Sequence, residues 1–580
     1  MIFDEVSVWF TRLENEPSRL EMTRVLSELF GKLSVCESSI VAYFCMGELS
    51  ASYQPIQMGL ADKTVLKVVA RVLQKTTLEA EQLLSGMHDL GELIATGFWV
   101  PSKELSIEHV YAQLLAIARC TGTGSQEAKM DALESLLRDV TPCAAKFVVR
   151  IVLGTLRLGF SDMTLIDSVS WMLVGNKSLA GTVENAYNLC ADIGLIVSTA
   201  KKSGIVGIQD MHVRVGIPIR PAAAERLSSA QEIIAKIGPC VAEPKFDGFR
   251  LQIHIDKSGG KPKIYFFSRN LLDMSDMYPD LVHALMPLAV ENVIFEGEAI
   301  SFDPNTGTFM PFQETVKRKR KHDIAVKAHE MPLQIFLFDI LYLDGQSLMD
   351  LPFTERRRKL VMLINDSSVD KVLVHVAHDV NITNADELER YFLAQIAAGL
   401  EGVLVKRPDS PYRPGKRNFN WIKLKRLASG HLLDSIDCVV LGYYYGSGKR
   451  AAFGIGALLV GVYNKFCDCF ETVAKIGTGF SDQEWQEIRR RCDGLRVDQQ
   501  PKNVVCDKNL VPDVWVRPEM VLEITADEIT RSPIHTAGKT QNGLGVALRF
   551  PRFVRYRDDK DAYESTVVDE LLTLQAKQRR

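Results

Sequence analysis

Only four of the chain's 23 prolines, Pro17, Pro55, Pro101 and Pro142, fall within the first 205 residues, and this gap constrains the fold more than any other feature. A proline inside a helix removes a hydrogen bond and clashes with the preceding turn, so a stretch nearly free of proline permits long helices. Apolar residues recur there at helical spacing, in Val25, Leu26, Leu29, Phe30 and Leu33 and again in Val148, Ile151, Val152 and Leu156. The pattern predicts helices to about residue 205. Within this region, Thr121 to Lys129 is a Gly-rich turn, and Ser125 is expected to cap a helix starting near Gln126. Free amides at such a helix start suit a phosphate, although a plain interhelical turn is the commoner use. Lys146, Arg150 and Arg157 put cations on an otherwise apolar stretch, and a solvated face is the ordinary explanation.

From Gly204 to Arg220 the texture shifts to Gly and β-branched residues, and residues from about 210 to 425 mix strands with helices. Lys263 to Ser268, Val293 to Phe295 and Gln334 to Asp339 read as strands. Lys317 to Lys321 is a block of five cations, read as a solvated or DNA-facing loop. Beyond about residue 427, Asp437 to Tyr443, Ala457 to Tyr463 and Glu471 to Gly477 are short strands divided by Gly-containing turns, which suggests a small barrel, with an OB-fold as the candidate. Gly446 to Arg450 superficially has the look of a P-loop but fails, since Tyr443 replaces the first Gly and Arg450 the required Ser or Thr. Arg549 to Arg557 interleaves four arginines with aromatics, and the last two dozen residues read as a solvated tail helix.

The chemistry centres on Ala242-Glu243-Pro244-Lys245-Phe246-Asp247-Gly248-Phe249-Arg250. An amine attacks only when unprotonated, and burial with nearby positive charge lowers a lysine pKa toward the working pH, so Lys245 reads as a nucleophile. The plainer alternative is a lysine salt-bridged to Asp247 beside a turn. Residues 413 to 426 hold six cations and no anion, and strand alternation in Trp421 to Lys425 puts Lys423 and Lys425 on one face. Like charges side by side cost energy unless an anion lies between them, and a polyphosphate supplies one.

Lys245 to Arg250, Ser268-Arg269-Asn270, Glu296-Gly297-Glu298, Phe336 to Asp339, Glu401 to Lys406, Trp421 to Lys425 and Arg549 to Arg557 occur in this order and resemble the seven nucleotidyltransferase motifs of ATP-dependent DNA ligases. The resemblance covers nearly the whole chain and is similar to archaeal and some bacterial members. It implies a multidomain α+β protein. Residues 1–207 would form an all-α DNA-binding domain, 208–426 a mixed α/β adenylation domain of ATP-grasp-like type, and 427–580 a β-barrel OB-fold domain with a helical tail. The stretch from Arg426 to Gly430 would be a hinge. The implied activity is sealing of nicks in three steps: a lysyl-adenylate on Lys245, AMP transfer to the 5′-phosphate, and attack by the 3′-hydroxyl. By the same resemblance Glu243 lies near adenine, Phe338 stacks on it, and Arg250 and Glu298 lie near the ribose. Arg269, Arg417, Lys423 and Lys425 surround phosphates, Arg549 and Arg552 serve pyrophosphate, and Glu298 with Glu401 holds Mg²⁺. The partners implied are ATP and nicked double-stranded DNA, with a sliding clamp as a further candidate, for a monomer acting in the cytoplasm at the nucleoid.

Composition fits this without pointing to it. A net charge of −3 gives no global polyanion-binding signal, so any contact with nucleic acid must come from local basic surfaces. No signal peptide or membrane span is evident, and the cysteines are scattered, as expected in a reducing cytosol. Cys467 and Cys469 read as two side chains on one face of a strand. RNA ligases and capping guanylyltransferases share the lysine motif, but usually without a helical domain before it. NAD-dependent ligases are disfavoured by the lack of a four-cysteine zinc module, and a non-catalytic DNA-end clamp is the alternative from another class.

Overall fold

The computed structural model describes residues 1–580 apart from 55, 88, 102, 303–308, 311–314, 316–330, 426–434, 447–449, 451–452, 540–542 and 579–580. The basic block at 317–321, the hinge expected from Arg426 to Gly430 and the middle of the P-loop-like segment lie outside the described residues. The chain divides into two compact units, Met1–Leu424 and Lys425–Arg580. Among the described residues no helix is long and apolar enough to cross a membrane.

The first unit begins with a run of helices, from Phe3–Glu14 to Ile193–Gln209, the last of them kinked at Gly204. Their ends follow local chemistry. Ser34 and Glu37 make reciprocal side-chain-to-backbone bonds at the start of Val35–Cys45. Pro142, one of the four early prolines, is the first residue of Pro142–Val152, where its missing N–H costs nothing. These helices share one core that draws on residues from Phe3 to Met211.

Two expectations fail in this region. Ser125 is the first residue of the helix Ser125–Arg138, and the cap position belongs to Gly124 in a left-handed conformation, so no side chain caps that end. Lys146 and Arg150 do not form a solvated face. Arg150 is 3% exposed and binds Asp89, Glu14 and Glu92 at 2.7 to 3.0 Å, while Lys146 binds Glu14 and Glu92. Carboxylates on other helices draw these cations inward, and one-dimensional spacing does not reveal such partners.

Two sheets follow, with all the strands expected between 263 and 339 present. One has the order β1 (Ala223–Arg226), β11 (Arg417–Lys425), β10 (Gly402–Lys406), β2 (Cys240–Lys245), β9 (Val380–Ile382). The other runs β4 (Lys263–Ser268), β3 (Phe249–Asp256), β5 (Asn292–Ser301), β6 (Leu333–Leu343), β7 (Gln346–Ser347), with β8 (Val374–Val376) also paired to β6. The helices Ala230–Ile237 and Ala385–Ala397 contribute Ile233, Leu388 and Phe392 to the core of the first sheet. Pro279–Leu285 and Phe353–Asn365 contribute Leu281, Leu285, Leu360 and Ile364 to the core of the second. A third cluster, including Phe246, Phe338, Tyr412 and Trp421, draws on both sheets.

The second unit is rich in strands: β12 (Ile436–Tyr444), β13 (Ala457–Asn464), β14 (Cys469–Ile476), β15 (Arg496–Val497), β16 (Val504–Val505), β17 (Val514–Val516), β18 (Val521–Thr525), β19 (Glu528–Ser532), β20 (Gly545–Arg549) and β21 (Arg552–Tyr556). The long β12 pairs with β13 on one edge, and on the other with β18 along its first half and β17 near its end. Cys467 and Cys469 are joined in a disulfide rather than lying side by side on a strand. The reason is local: Asp468 between them has φ of 50°, which turns the chain where alternation would have continued it. The tail helix Val568–Gln578 is not solvated either, because Leu571 is 0% exposed and belongs to the unit's core with Val568. Leu571→Ala is therefore expected to destabilise the second unit by about 2–4 kcal/mol, seen as a lower denaturation midpoint. A solvated helix would lose less than about 0.5 kcal/mol.

Candidate active site around Lys245

Lys245 ends β2 in one sheet and Phe249 begins β3 in the other, so the chain crosses between the sheets through Phe246-Asp247-Gly248. The crossing is tight. A Cβ on Gly248 would lie 2.3 Å from the carbonyl oxygen of Ala299, which makes glycine obligatory there. Antiparallel pairing of β2 with β10 sets Lys245 opposite Gly402 and Glu243 opposite Leu404. Glu401 just precedes β10, its N–H donates to the Lys245 carbonyl at 3.1 Å, and its carboxylate is ion-paired with Lys245 Nζ. The lysine's ion-pair partner is thus Glu401 and not the Asp247 of the plainer reading.

Beneath this pair is a buried second one. Lys406 Nζ lies 2.7 Å from Glu243, both fully enclosed, and it donates to the Phe338 carbonyl at 3.0 Å. The rings of Phe353, Trp421 and Phe338 lie 4.5, 4.7 and 4.9 Å from the ammonium, a cation–π arrangement that offsets part of its lost hydration. Glu243 Oε1 is buried without a hydrogen-bond partner, leaving one strong acceptor in the enclosure unused.

Arg250, at the start of β3, donates twice to Glu296 at 2.8 and 3.0 Å and once to the Ala222 carbonyl at 2.8 Å. Its guanidinium lies 5.4 Å from the Trp421 ring and 5.6 Å from that of Phe338. Glu298 faces Arg250 across the β3–β5 ladder and is half-buried. Asp339 forms a two-pronged, fully buried pair with Arg356 at 2.8 and 2.9 Å.

Burial governs the charges here. It pushes the Glu298 carboxyl up to about 7, against the opposing pull of Lys245, Arg250 and the Gly248 N–H. Burial also lowers Lys245, with Arg269 and Arg250 adding to it against Glu298 and Asp247. Lys423 falls for the same first reason, followed by repulsion from Arg417, Lys245 and Arg269. The structure therefore gathers Glu243, Lys245, Arg250, Arg269, Glu298, Phe338, Glu401, Arg417 and Lys423 in the first unit, and Arg269 and Arg417 stay exposed. Sequence reasoning assigned no role to Lys406 and Glu296, although both stand inside quoted segments, and it missed Arg356 on a separate helix. Arg549 and Arg552 pair with Glu528 and Asp527 within the second unit.

A half-buried lysine of lowered pKa, a buried unused acceptor and several nearby cations are a combination suited to chemistry on a polyphosphate. Comparison with known proteins agrees. Residues 2–170 match the family model for the DNA ligase N terminus, 221–425 that for the ATP dependent DNA ligase domain, and 451–560 that for the ATP dependent DNA ligase C terminal region. A probable DNA ligase of Dictyoglomus thermophilum is 43% identical over 100% of this chain and 98% of its own length. The DNA ligase of Staphylothermus marinus is 37% identical over 100% of this chain and 99% of its own. The solved structure Pmar-Lig_Pre shares the fold with a TM-score of 0.56 at 18% identity, covering 95% of this chain and 99% of that one. The chain belongs to the ATP-dependent DNA ligase family, whose function is the sealing of nicks in DNA.

A carboxyl with a raised pKa in the folded state binds protons that the unfolded chain has released. For Glu298 stability is then highest below about pH 4.5 and falls as pH rises toward about 7. Glu298→Gln removes that cost, so at about pH 8 the unliganded variant is expected to be more stable than the parent by about 1–3 kcal/mol. Equal melting temperatures across that pH range would show that the carboxyl titrates normally.

Proposed function

We propose that Lys245 is the nucleophile of a three-step nick-sealing reaction. Unprotonated Nζ attacks the α-phosphorus of ATP, the phosphorus–nitrogen bond forms, the bond to the β-phosphate oxygen breaks, and pyrophosphate leaves. Glu401, already in contact with Nζ, is an acceptor for the proton released. The AMP then passes to the 5′-phosphate of a nick, and the 3′-hydroxyl displaces it to close the strand. A covalent intermediate divides one difficult transfer into easier ones. The observation that carries this reading is Lys245 itself, half-buried at the crossing between two sheets, its pKa lowered, with Arg269, Arg250 and Lys423 near it.

Glu243 Oε1, the unused buried acceptor, suits the amino group of adenine, and Phe338 offers a ring to stack on it. Arg250 and Glu298 serve the ribose. Arg269, Arg417 and Lys423 offset the charge that shifts among phosphate oxygens during transfer. Glu298 and Glu401 fit Mg²⁺. Both are oxygen donors beside Lys245, and the Glu298 carboxyl, held up by burial, gains from an adjacent cation. When bound, that ion would polarise phosphate oxygens and favour departure of pyrophosphate.

The wider organisation we infer is a helical DNA-binding domain at 1–207, an ATP-grasp-like adenylation domain at 208–426 and an OB-fold barrel at 427–580. The separate helical core, the two sheets and the strand-rich second unit support it. The working form is a monomer acting on nicked duplex in the cytoplasm at the nucleoid, with a sliding clamp as a further partner.

Incubation with ATP labelled at the α-phosphate and Mg²⁺ should leave label on the parent protein and none on Lys245→Ala. Nicked duplex DNA should then chase the label off as AMP while the strand closes. Label retained by the variant would reassign the nucleophile.

A further inference from the structure

Arg220 has no part in the chemistry above, yet it stands at the junction of the helices with the site. A cleft of about 350 Å³ is lined by Arg220, Arg250 and Arg269 together with Pro221, Asn270 and Gly415, and no carboxylate is among its described lining residues. The charge of Arg250 is met by Glu296 at 2.8 Å. Arg269 is exposed at the turn after β4.

Among the described residues, the Arg220 side chain is held from the helical region. Its guanidinium lies 3.5 Å from Asp162 at the start of Asp162–Val174, 3.4 Å from Asn188 Oδ1 and 5.1 Å from the Tyr187 ring centre. The backbone fixes the same junction. Arg220 N–H donates to the Asn188 carbonyl at 2.9 Å, Ala191 N–H to the Pro218 carbonyl at 3.0 Å and Gly415 N–H to the Arg220 carbonyl at 3.0 Å. A Cβ on Gly415 would lie 2.2 Å from Asn188 Oδ1, so this approach requires glycine. The pairing with Asp162 is long and single-pronged, leaving donors of the planar fork for another partner.

We propose that Arg220, aimed by Asp162 and Tyr187 of the helical region, forms with Arg269 a subsite for a phosphate group of the ligation substrates. Guanidinium pairs suit a phosphate because two parallel N–H bonds reach two of its oxygens. The subsite rests on the reading of Lys245 as the adenylated residue. Its phosphate has two sources, the β- and γ-phosphates of ATP or the 5′-phosphate of the nick. In either case the helical region takes part in phosphate binding through Arg220 and does not only hold DNA.

The test uses the full chain as parent, Arg220→Ala, Arg220→Lys and Asp162→Ala. Each is measured in self-adenylylation against ATP concentration without DNA, in AMP transfer to nicked duplex, in sealing of a nick already carrying AMP on its 5′-phosphate, and in thermal unfolding. If the phosphate is that of the nick, Arg220→Ala slows AMP transfer on the order of tenfold at an unchanged KM for ATP. If it belongs to ATP, the KM for ATP rises by a similar factor while the pre-adenylylated nick is sealed at the parent rate. In both cases Arg220→Lys recovers only part of the loss, and Asp162→Ala shows a smaller defect in the same step. The proposal is overturned if every step of Arg220→Ala stays within about twofold of the parent. It is equally overturned if all steps fall together with the unfolding temperature in Arg220→Ala and are restored by Arg220→Lys, which would make the residue a brace. A parent that takes no label from ATP would sink the reading of Lys245 itself, a result separable from both.

Discussion

The register between β2 and β10 is the constraint on which the site depends. A strand has a side-chain period of two, so a slip of one residue would turn Glu243 and Lys245 to the opposite face of the sheet. With Lys245 opposite Gly402, the lysine meets Glu401, and two residues back Glu243 meets Lys406. One ladder thereby sets the Lys245 amine two residues along from a buried ion pair. The Gly248 crossing then carries the chain directly into the second sheet, where Arg250 finds Glu296.

Two buried ion pairs, Glu243–Lys406 and Asp339–Arg356, and the partly exposed pair Arg250–Glu296 belong to the same unit. Buried pairs of this kind seldom add net stability, since each ion loses several kcal/mol of hydration that the partner only repays in good geometry. Burial lowers the Lys245 pKa, and Arg269 and Arg250 add to it, against the opposing pull of Glu298 and Asp247. Glu298 completes the arrangement, because a carboxyl poised near neutrality opposes the loss of the lysine's proton less than a fully ionised one would.

Much of this was legible in the chain. The proline gap gave the helical region, and the strands at 263–268, 293–295 and 334–339 appeared where β-branched and aromatic runs placed them. Lys245 was legible because a lysine, two carboxylates and an arginine occur within a few residues. Partners distant in sequence were not. Arg356 reaches Asp339 across 17 positions, and Arg150 reaches Glu14 across 136. The same blindness turned Lys146 and Arg150 into an imagined solvated face, since a buried cation and an exposed one look alike until its carboxylate is known. Ser125 misled in another way, because the helix begins one residue earlier than expected, with Gly124 in a left-handed conformation at the cap position. The tail helix was read, but its burial was overlooked, although the apolar Val568 and Leu571 recur at helical spacing and both are buried.

That helix also bears on how the protein is made. The core of the second unit joins Ile436 to Leu571, so its packing is incomplete until residues far along the chain have been synthesised. The helical core closes by Met211 and the sheets by Leu424, well before that point. A ribosome delivering the chain in order would thus release the finished site around Lys245 while β12 and β13 still expose apolar faces, and those strands are where a chaperone would be engaged.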